Sequence, residues 1–245
     1  MVMVNLELIE FGLQLKALRN ATKSDGISLL ARKGLSSEIS SKEEFNFLGY
    51  SIGVSHVSIR DKSEARIKKQ ISYILYKNLI QPLKDKPLRG LVIPANNRDR
   101  ALLTAMMQIR RYLYGGLLSR DIVEYIKGRR ASLHFKGVMS FYPLLNDEDQ
   151  LKALDGWLVA VIHRSVQLRS QLLLSHRFDR RRSFPFSIQQ QDIVERYRRR
   201  IIGGKRLLEV PSFMLIYRAL QRGLRESGIE SVMHPGSNEY SYKEP

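Results

Sequence analysis

"EEFNFLGYSI", Glu43 to Ile52, alternates like a β-strand and then changes phase. Phe45 and Phe47 step by two, Tyr50 and Ile52 step by two on the opposite parity, and Gly49 lies between them. Successive side chains of a strand point to opposite faces, so one inserted residue sends every later side chain to the other face. A β-bulge at Leu48-Gly49 would do this, re-aiming the strand where it meets a ligand. A glycine kink that merely fits a core is the plainer alternative. A hairpin is expected next, with Gly53 as its turn and Val54 to Ile59 as its second strand.

From Lys62 the period becomes helical. Ile67, Ile71, Ile74, Leu75 and Leu79 share one face, and Pro82 is expected to end the helix. At about 100° per residue, Lys62, Arg66, Lys69, Tyr73 and Lys77 fall within about 80° of one another on the opposite face. A solvated surface is the ordinary fate of a charge run. Phosphate binding is the alternative, favoured here because acidic residues are scarce after Glu64.

Working outward, Asn5 to Leu18 has helical spacing at Leu6, Ile9, Leu13 and Ala17, and turn residues surround a short apolar piece, Ile27 to Ala31. After the linker "PLKDKPLRGLVIPANN" a helix is expected from Arg98 to Tyr114, with Leu102, Ala105, Met106, Ile109 and Leu113 inward and a stop at Gly115-Gly116. Its Met106-Met107 pair reads as core filler. Ser119 to Lys127 forms a short helix closed by Gly128. Asp147 is placed to cap the longest helix, Glu148 to Ser175, with Leu151, Leu154, Leu158, Ile162, Val166 and Leu172 inward.

"RFDRRRSFPF" reads as a loop. Ser187 and Gln190 have capping-box spacing for a helix to Ile202, and the "GGK" at Gly203 to Lys205 reads as its stop. Between Arg177 and Arg206 there are ten Lys or Arg against three Asp or Glu. A last helix, Ser212 to Glu226, points Phe213, Ile216, Leu220 and Leu224 inward and is closed by Gly228; the residues after about Ser231 form a polar tail. The fold class is therefore α+β and mainly helical, with a small N-terminal β-hairpin element, a helical bundle and basic C-terminal helices. The expected domains are 1–60, 61–176, 177–230 and the tail 231–245.

Across 245 residues, 41 Lys and Arg against 24 Asp and Glu leave a net charge of +17. Such an excess goes beyond what solubility requires and points to a polyanion. The charge is spread along the chain and interleaved with Tyr and Phe, which favours RNA or DNA over an anionic membrane. The absence of cysteine excludes disulfides and thiolate chemistry, and suits a reducing compartment. No signal-like leader or long apolar run is evident, so a cytoplasmic protein is expected, with no membrane partner.

The chemical motifs are mostly negative. No GxGxxG, GxxxxGK[ST], GxSxG or HExxH is present, and His163 and His176 read as helix-surface residues. Two-metal phosphoryl transfer needs converging carboxylates. The one acidic cluster, Asp147, Glu148 and Asp149, sits where a helix begins, and acids there ordinarily complement the helix dipole. Asp155, beside Trp157 in "LKALDGWL", reads as a structural hydrogen-bonding group. Binding is the stronger theme: Tyr73, Tyr76, Tyr112 and Tyr114 could stack on unpaired bases, with Arg110 and Arg111 beside them, although each Tyr could equally be core.

"FNFLGYSI", followed by "VSIRDKSEARIKKQI", resembles the segment of bacterial reverse transcriptases where the palm ends and the thumb begins. There an F-x-FLGY hairpin forms the primer grip, and a basic helix follows. "FGLQLKALRNATKS" is similar to that family's GLxLNxxKT element, with Lys16 where Asn is usual and the Lys-Thr pair displaced. "QIRRYLYGGL", "FKGVMSFYPLLNDEDQLKALDGWL" and "RSVQLRSQLL" resemble the thumb of retron-like and defence-associated members, so the likeness spans residues 5 to 175.

The resemblance implies that Phe47, Leu48, Gly49 and Tyr50 form the primer grip. It further implies that Lys62, Arg66 and Lys69 contact phosphates, and that Arg180, Arg181, Arg182, Arg198, Arg199 and Arg200 extend the track. The family's metal-binding aspartates, including its YxDD turn, would lie before residue 1, and no such motif occurs in this sequence. No catalytic or metal residue and no cofactor is therefore expected in this chain. Mg²⁺ would enter only with a palm supplied by a separate polypeptide. The functional expectation is a reverse-transcriptase-related protein gripping primer and template, with a role in antiviral defence by the same analogy. A non-catalytic RNA- or DNA-binding module and a metal nuclease using Asp147 to Asp149 remain as alternatives.

Overall fold

The computed structural model describes residues 44–53, 56–84, 100–175, 201–202, 205–206 and 210–232. The expected helix at Asn5 to Leu18, the piece Ile27 to Ala31, the linker after Lys84, the arginine-rich loop and the polar tail lie outside them. Helices dominate the described residues, and three strands form a small antiparallel sheet near their N-terminal end, so the chain is α+β. Two compact units can be distinguished: the residues up to Ala65 together with Leu144–Asp147, and the residues from Arg66 to Pro143 together with those from Glu148 onward.

The first unit is built on β1 (Glu44–Phe47), β2 (Tyr50–Gly53) and β3 (Val57–Ile59), in the order β1-β2-β3. The expected bulge is a chain reversal. Phe47 pairs directly with Tyr50, leaving Leu48 and Gly49 as a two-residue turn with φ of 46° and 93°. Two positive φ values are the signature of the type I′ turn, whose twist matches that of the flanking strands. Residues directly opposite share a face of the sheet. The reversal therefore returns Tyr50 and Ile52 to the face of Phe47, and this explains the parity change without any inserted residue.

Ile59 pairs with Tyr50 on that same apolar face, while Asn46, Ser51 and Ser58 form a cross-strand row on the other. Ser51 and Ser58 are both buried. The second hairpin turns after Gly53, whose N–H donates to the His56 carbonyl at 2.8 Å, and β3 begins at Val57, later than expected. The outer edge of β3 is closed locally. The Val57 N–H donates to Asn146 Oδ1 at 2.5 Å, and the Val57 carbonyl accepts from the N–H of Asn146 at 3.0 Å.

Helix α1 spans Asp61–Leu75. It buries Ile67, Ile71, Ile74 and Leu75, and Leu79 follows on the same side, as the periodicity requires. Pro82 does not end the helical run. A π turn at Tyr76–Ile80 leads into α2 (Gln81–Lys84), with Pro82 in its first turn. Proline lacks the N–H that an α-helix needs mid-run but is tolerated in a first turn, and the wider π turn provides the restart. Asn78 stabilises the irregularity: its Nδ2 donates to the Ile74 carbonyl and to Gln108 Oε1, each at 2.7 Å.

The rest of the second unit comprises α3 (Arg100–Tyr114), α4 (Ser119–Ile126), a 3₁₀ turn at Val138–Phe141, α5 (Glu148–Ser175), α6 (Phe213–Ser227) and α7 (Ile229–Val232). The π turn packs on α3 and α5, and α6 packs on α4, α5 and α7. Met106 is core as expected, but Met107 is exposed. On α5 the buried face ends through Arg169 and Leu173 and bypasses Leu172. A step of three from Val166 reaches 169 and a further step of four reaches 173, whereas a step of six lands about 120° away. Ile201–Ile202 pairs with Lys205–Arg206 as the short strands β4 and β5, so these residues do not end a helix. Two β-branched residues in succession suit a strand better than a helix terminus.

Two contacts tie the second unit together. Gly115 (φ 69°) and Gly137 (φ 93°) bring separate backbone segments together. A Cβ on Gly137 would lie 2.5 Å from the Gly115 nitrogen, so no larger residue fits. At the start of α6, the Ser212 hydroxyl accepts from the Leu215 N–H at 3.2 Å as the cap. Asp155 of α5 reinforces that end. Its Oδ1 accepts from the Phe213 N–H and its Oδ2 from the Ser212 hydroxyl, both at 2.6 Å. A carboxylate there satisfies orphan N–H groups and complements the helix dipole.

Candidate nucleic-acid interface

The basic stripe keeps the exposure a binding surface needs. Lys62, Arg66, Lys69 and Lys77 are exposed along α1 and its π turn, and Tyr73 is half-buried among them. The Lys77 ammonium lies over the Tyr73 ring, 6.0 Å from its centroid. Tyr76 is 40% exposed at the first position of the π turn, with Lys84 Nζ 5.5 Å from its ring centroid. Beside them, Lys68 Nζ stands 5.6 Å from the centroid of Trp157 on α5. Lysines held over aromatic faces supply fixed positive charge next to flat π surfaces, which suits contacts to phosphates and bases.

The tyrosines of α3 are not part of such a surface. Tyr114 is fully buried and its hydroxyl donates to the Ser212 carbonyl at 2.7 Å while accepting from the Ser212 N–H. Tyr112 is also buried. Desolvation pushes its hydroxyl up to about 12, with Tyr142 adding to the effect and Arg66 opposing it. Both take the core alternative: the inward face of α3 is wide enough to include them. Arg110 is half-buried and Arg111 exposed on the same helix. Arg180, Arg181, Arg182, Arg198, Arg199 and Arg200 lie outside the described residues.

In the first unit, the four residues of the expected primer grip divide into two pairs. Phe47 and Tyr50 are buried as the last cross-strand pair of β1 and β2. Leu48 is 70% exposed at the tip, and Gly49 completes the turn, its carbonyl accepting from the Arg60 N–H at 2.9 Å. A leucine at positive φ is strained by about 1 kcal/mol or more relative to Asn or Gly. Burial cannot account for keeping an apolar side chain there.

The acidic cluster is engaged locally. Lys152 Nζ lies 2.9 Å from Asp149 Oδ1 and 3.8 Å from Glu148 Oε2, and the hydrogen bond to Asp149 raises the lysine above its ordinary value. Among the described residues no group of three or more His, Asp or Glu is placed to hold a metal ion. No helix of the described residues is long and apolar enough to cross a membrane.

Lys84, which stands over the exposed Tyr76 ring beside the basic stripe, is a cation that the sequence reading did not single out. It lies eight positions beyond Tyr76, outside the range of ordinary i,i+4 neighbours, and the only hint was Pro82 inside a continuing apolar pattern. No protein-family model matches this chain, and neither does any curated protein or solved structure.

Proposed function

We propose that this chain binds nucleic acid, with α1 and its π turn holding phosphates and the Leu48-Gly49 turn contacting a primer terminus. On this reading it is a reverse-transcriptase-related subunit that works with a separate polypeptide carrying the catalytic palm. The observation that carries the proposal is the stripe of Lys62, Arg66, Lys69 and Lys77, all exposed on one helical run with an aromatic ring among them, in a chain of net charge +17. The strained, exposed Leu48 at the tip of a tight hairpin supports the primer-grip assignment, because strain of that kind persists where function uses it. A cytoplasmic location and a place in antiviral defence belong to the same proposal and rest on the resemblance.

The test is primer extension in trans. The chain is mixed with a YxDD-bearing palm polypeptide, Mg²⁺, dNTPs and an RNA template annealed to a DNA primer. Template-dependent DNA synthesis that neither polypeptide gives alone is expected. A complex that assembles and stays inert overturns the polymerase-subunit reading. It would leave a nucleic-acid-binding module whose affinity falls steeply with salt and needs no partner.

A further inference from the structure

We propose that Tyr73 and Tyr76, each with a lysine over its ring, form a stacking site for unpaired bases, so that the strand held along this helix is single-stranded. The inference rests on the nucleic-acid reading above and specifies its ligand. Duplex offers a protein phosphates and groove edges, and its base faces are hidden in the stack. Only an unpaired strand can use an exposed aromatic face.

The two pairs are aligned by the π turn. Tyr73 and Lys77 are four apart, the ordinary spacing for neighbours on a helix surface. Tyr76 and Lys84 are eight apart, which on an unbroken α-helix would leave them about 80° out of line. One π turn and one α turn together take up about eight residues, so the irregularity at Tyr76–Ile80 brings Lys84 back over Tyr76, and its Nζ stands 5.5 Å from the ring centroid. Tyr73 and Tyr76 are themselves three apart, so both rings belong to one surface. Lys69 and Arg66 lie one and two turns before Tyr73 on the same helix, where the phosphates of a strand leaving the rings would run. In the free protein each ammonium occupies a ring face. A base can take that face while the lysine moves to the adjacent phosphate, which retains the charge pairing and adds the stack.

The experiment is fluorescence anisotropy on the full chain at fixed salt. Labelled oligo-dT and oligo-rU of about 20 nucleotides are compared with a hairpin of equal phosphate number whose stem is fully paired and closed by a non-nucleotide linker. Tyr76→Leu is expected to weaken binding of the single strands by about tenfold and that of the hairpin by less than about twofold, while Tyr76→Phe, which keeps the stacking face, stays near wild type. Tyr76 is exposed, so Leu is tolerated there, and unchanged thermal unfolding checks this. The inference is overturned if Tyr76→Leu leaves single-strand affinity intact, or if it lowers both affinities equally. In either case salt-dependent binding by the wild type would leave the interface itself standing. A wild-type chain that binds neither probe removes both.

Discussion

Leu48 adopts a left-handed conformation that β-turns normally reserve for Asn or Gly, and it exposes most of its side chain there. Leu48→Asn should therefore stabilise the chain by several tenths of a kcal/mol to about 1 kcal/mol. If the tip touches a primer terminus, the same change should weaken extension by a complemented complex. Chemical denaturation together with primer extension checks both, and a change that lowers stability would contradict the strain assignment.

Tyr112 makes a prediction about pH. Its hydroxyl is raised from 10.0 to about 12 in the folded chain, so folding favours the protonated form. That contribution is complete below pH 10 and is lost as pH rises from 10 toward 12, on the order of 2 to 3 kcal/mol at about 1.4 kcal/mol per tenfold. Tyr112→Phe, which cannot ionise, should lose less stability across that window in unfolding melts than the wild type, the raised Tyr125 and Tyr217 hydroxyls remaining in both. Asp155→Ala should cost about 1 to 3 kcal/mol, since it leaves the Phe213 N–H and the Ser212 hydroxyl without their acceptor, and urea titration reads this directly.

Among the elements, helices with strong apolar periodicity were legible in advance, and their irregularities were not. The buried faces of α1 and α3 contain every inward residue the spacing identified, because one hydrophobic face per 3.6 residues leaves little choice once the chain packs. Pro82 misled because its local meaning as a stop depends on whether a first turn can form around it, and the packing of the π turn on α3 and α5 decides that. The hairpin was found but its turn was misplaced. A parity change admits either an inserted residue or a reversal, and only the pairing of Phe47 with Tyr50 separates the two. Gly137, unremarked in the sequence, has a role that only the juxtaposition of distant segments reveals. Gly137→Ala should destabilise the chain by about 2 kcal/mol or more, because both φ and space oppose a Cβ.

For the molecule as a whole, composition raises the expectation of a polyanionic partner and does not single out a surface. A charge of +17 favours any polyanion, but the described residues concentrate exposed cations beside aromatic rings on one helical run. The tyrosines separated into core and surface for a reason that single-sequence reading could not supply. Tyr112 and Tyr114 flank the apolar face of α3 and find buried surroundings, whereas Tyr76 begins a turn that leaves it outside. The most direct measurement is the salt dependence of nucleic-acid affinity for the wild type and for the triple change Arg66→Ser, Lys69→Ser and Lys77→Ser. The wild type should lose affinity linearly in log–log form as salt rises. The variant should bind at least about tenfold more weakly at low salt, with a slope shallower by about two to three, as expected if each lost cation had neutralised one phosphate. Equal slopes and affinities for the two proteins would contradict the assignment of this helix as the nucleic-acid interface.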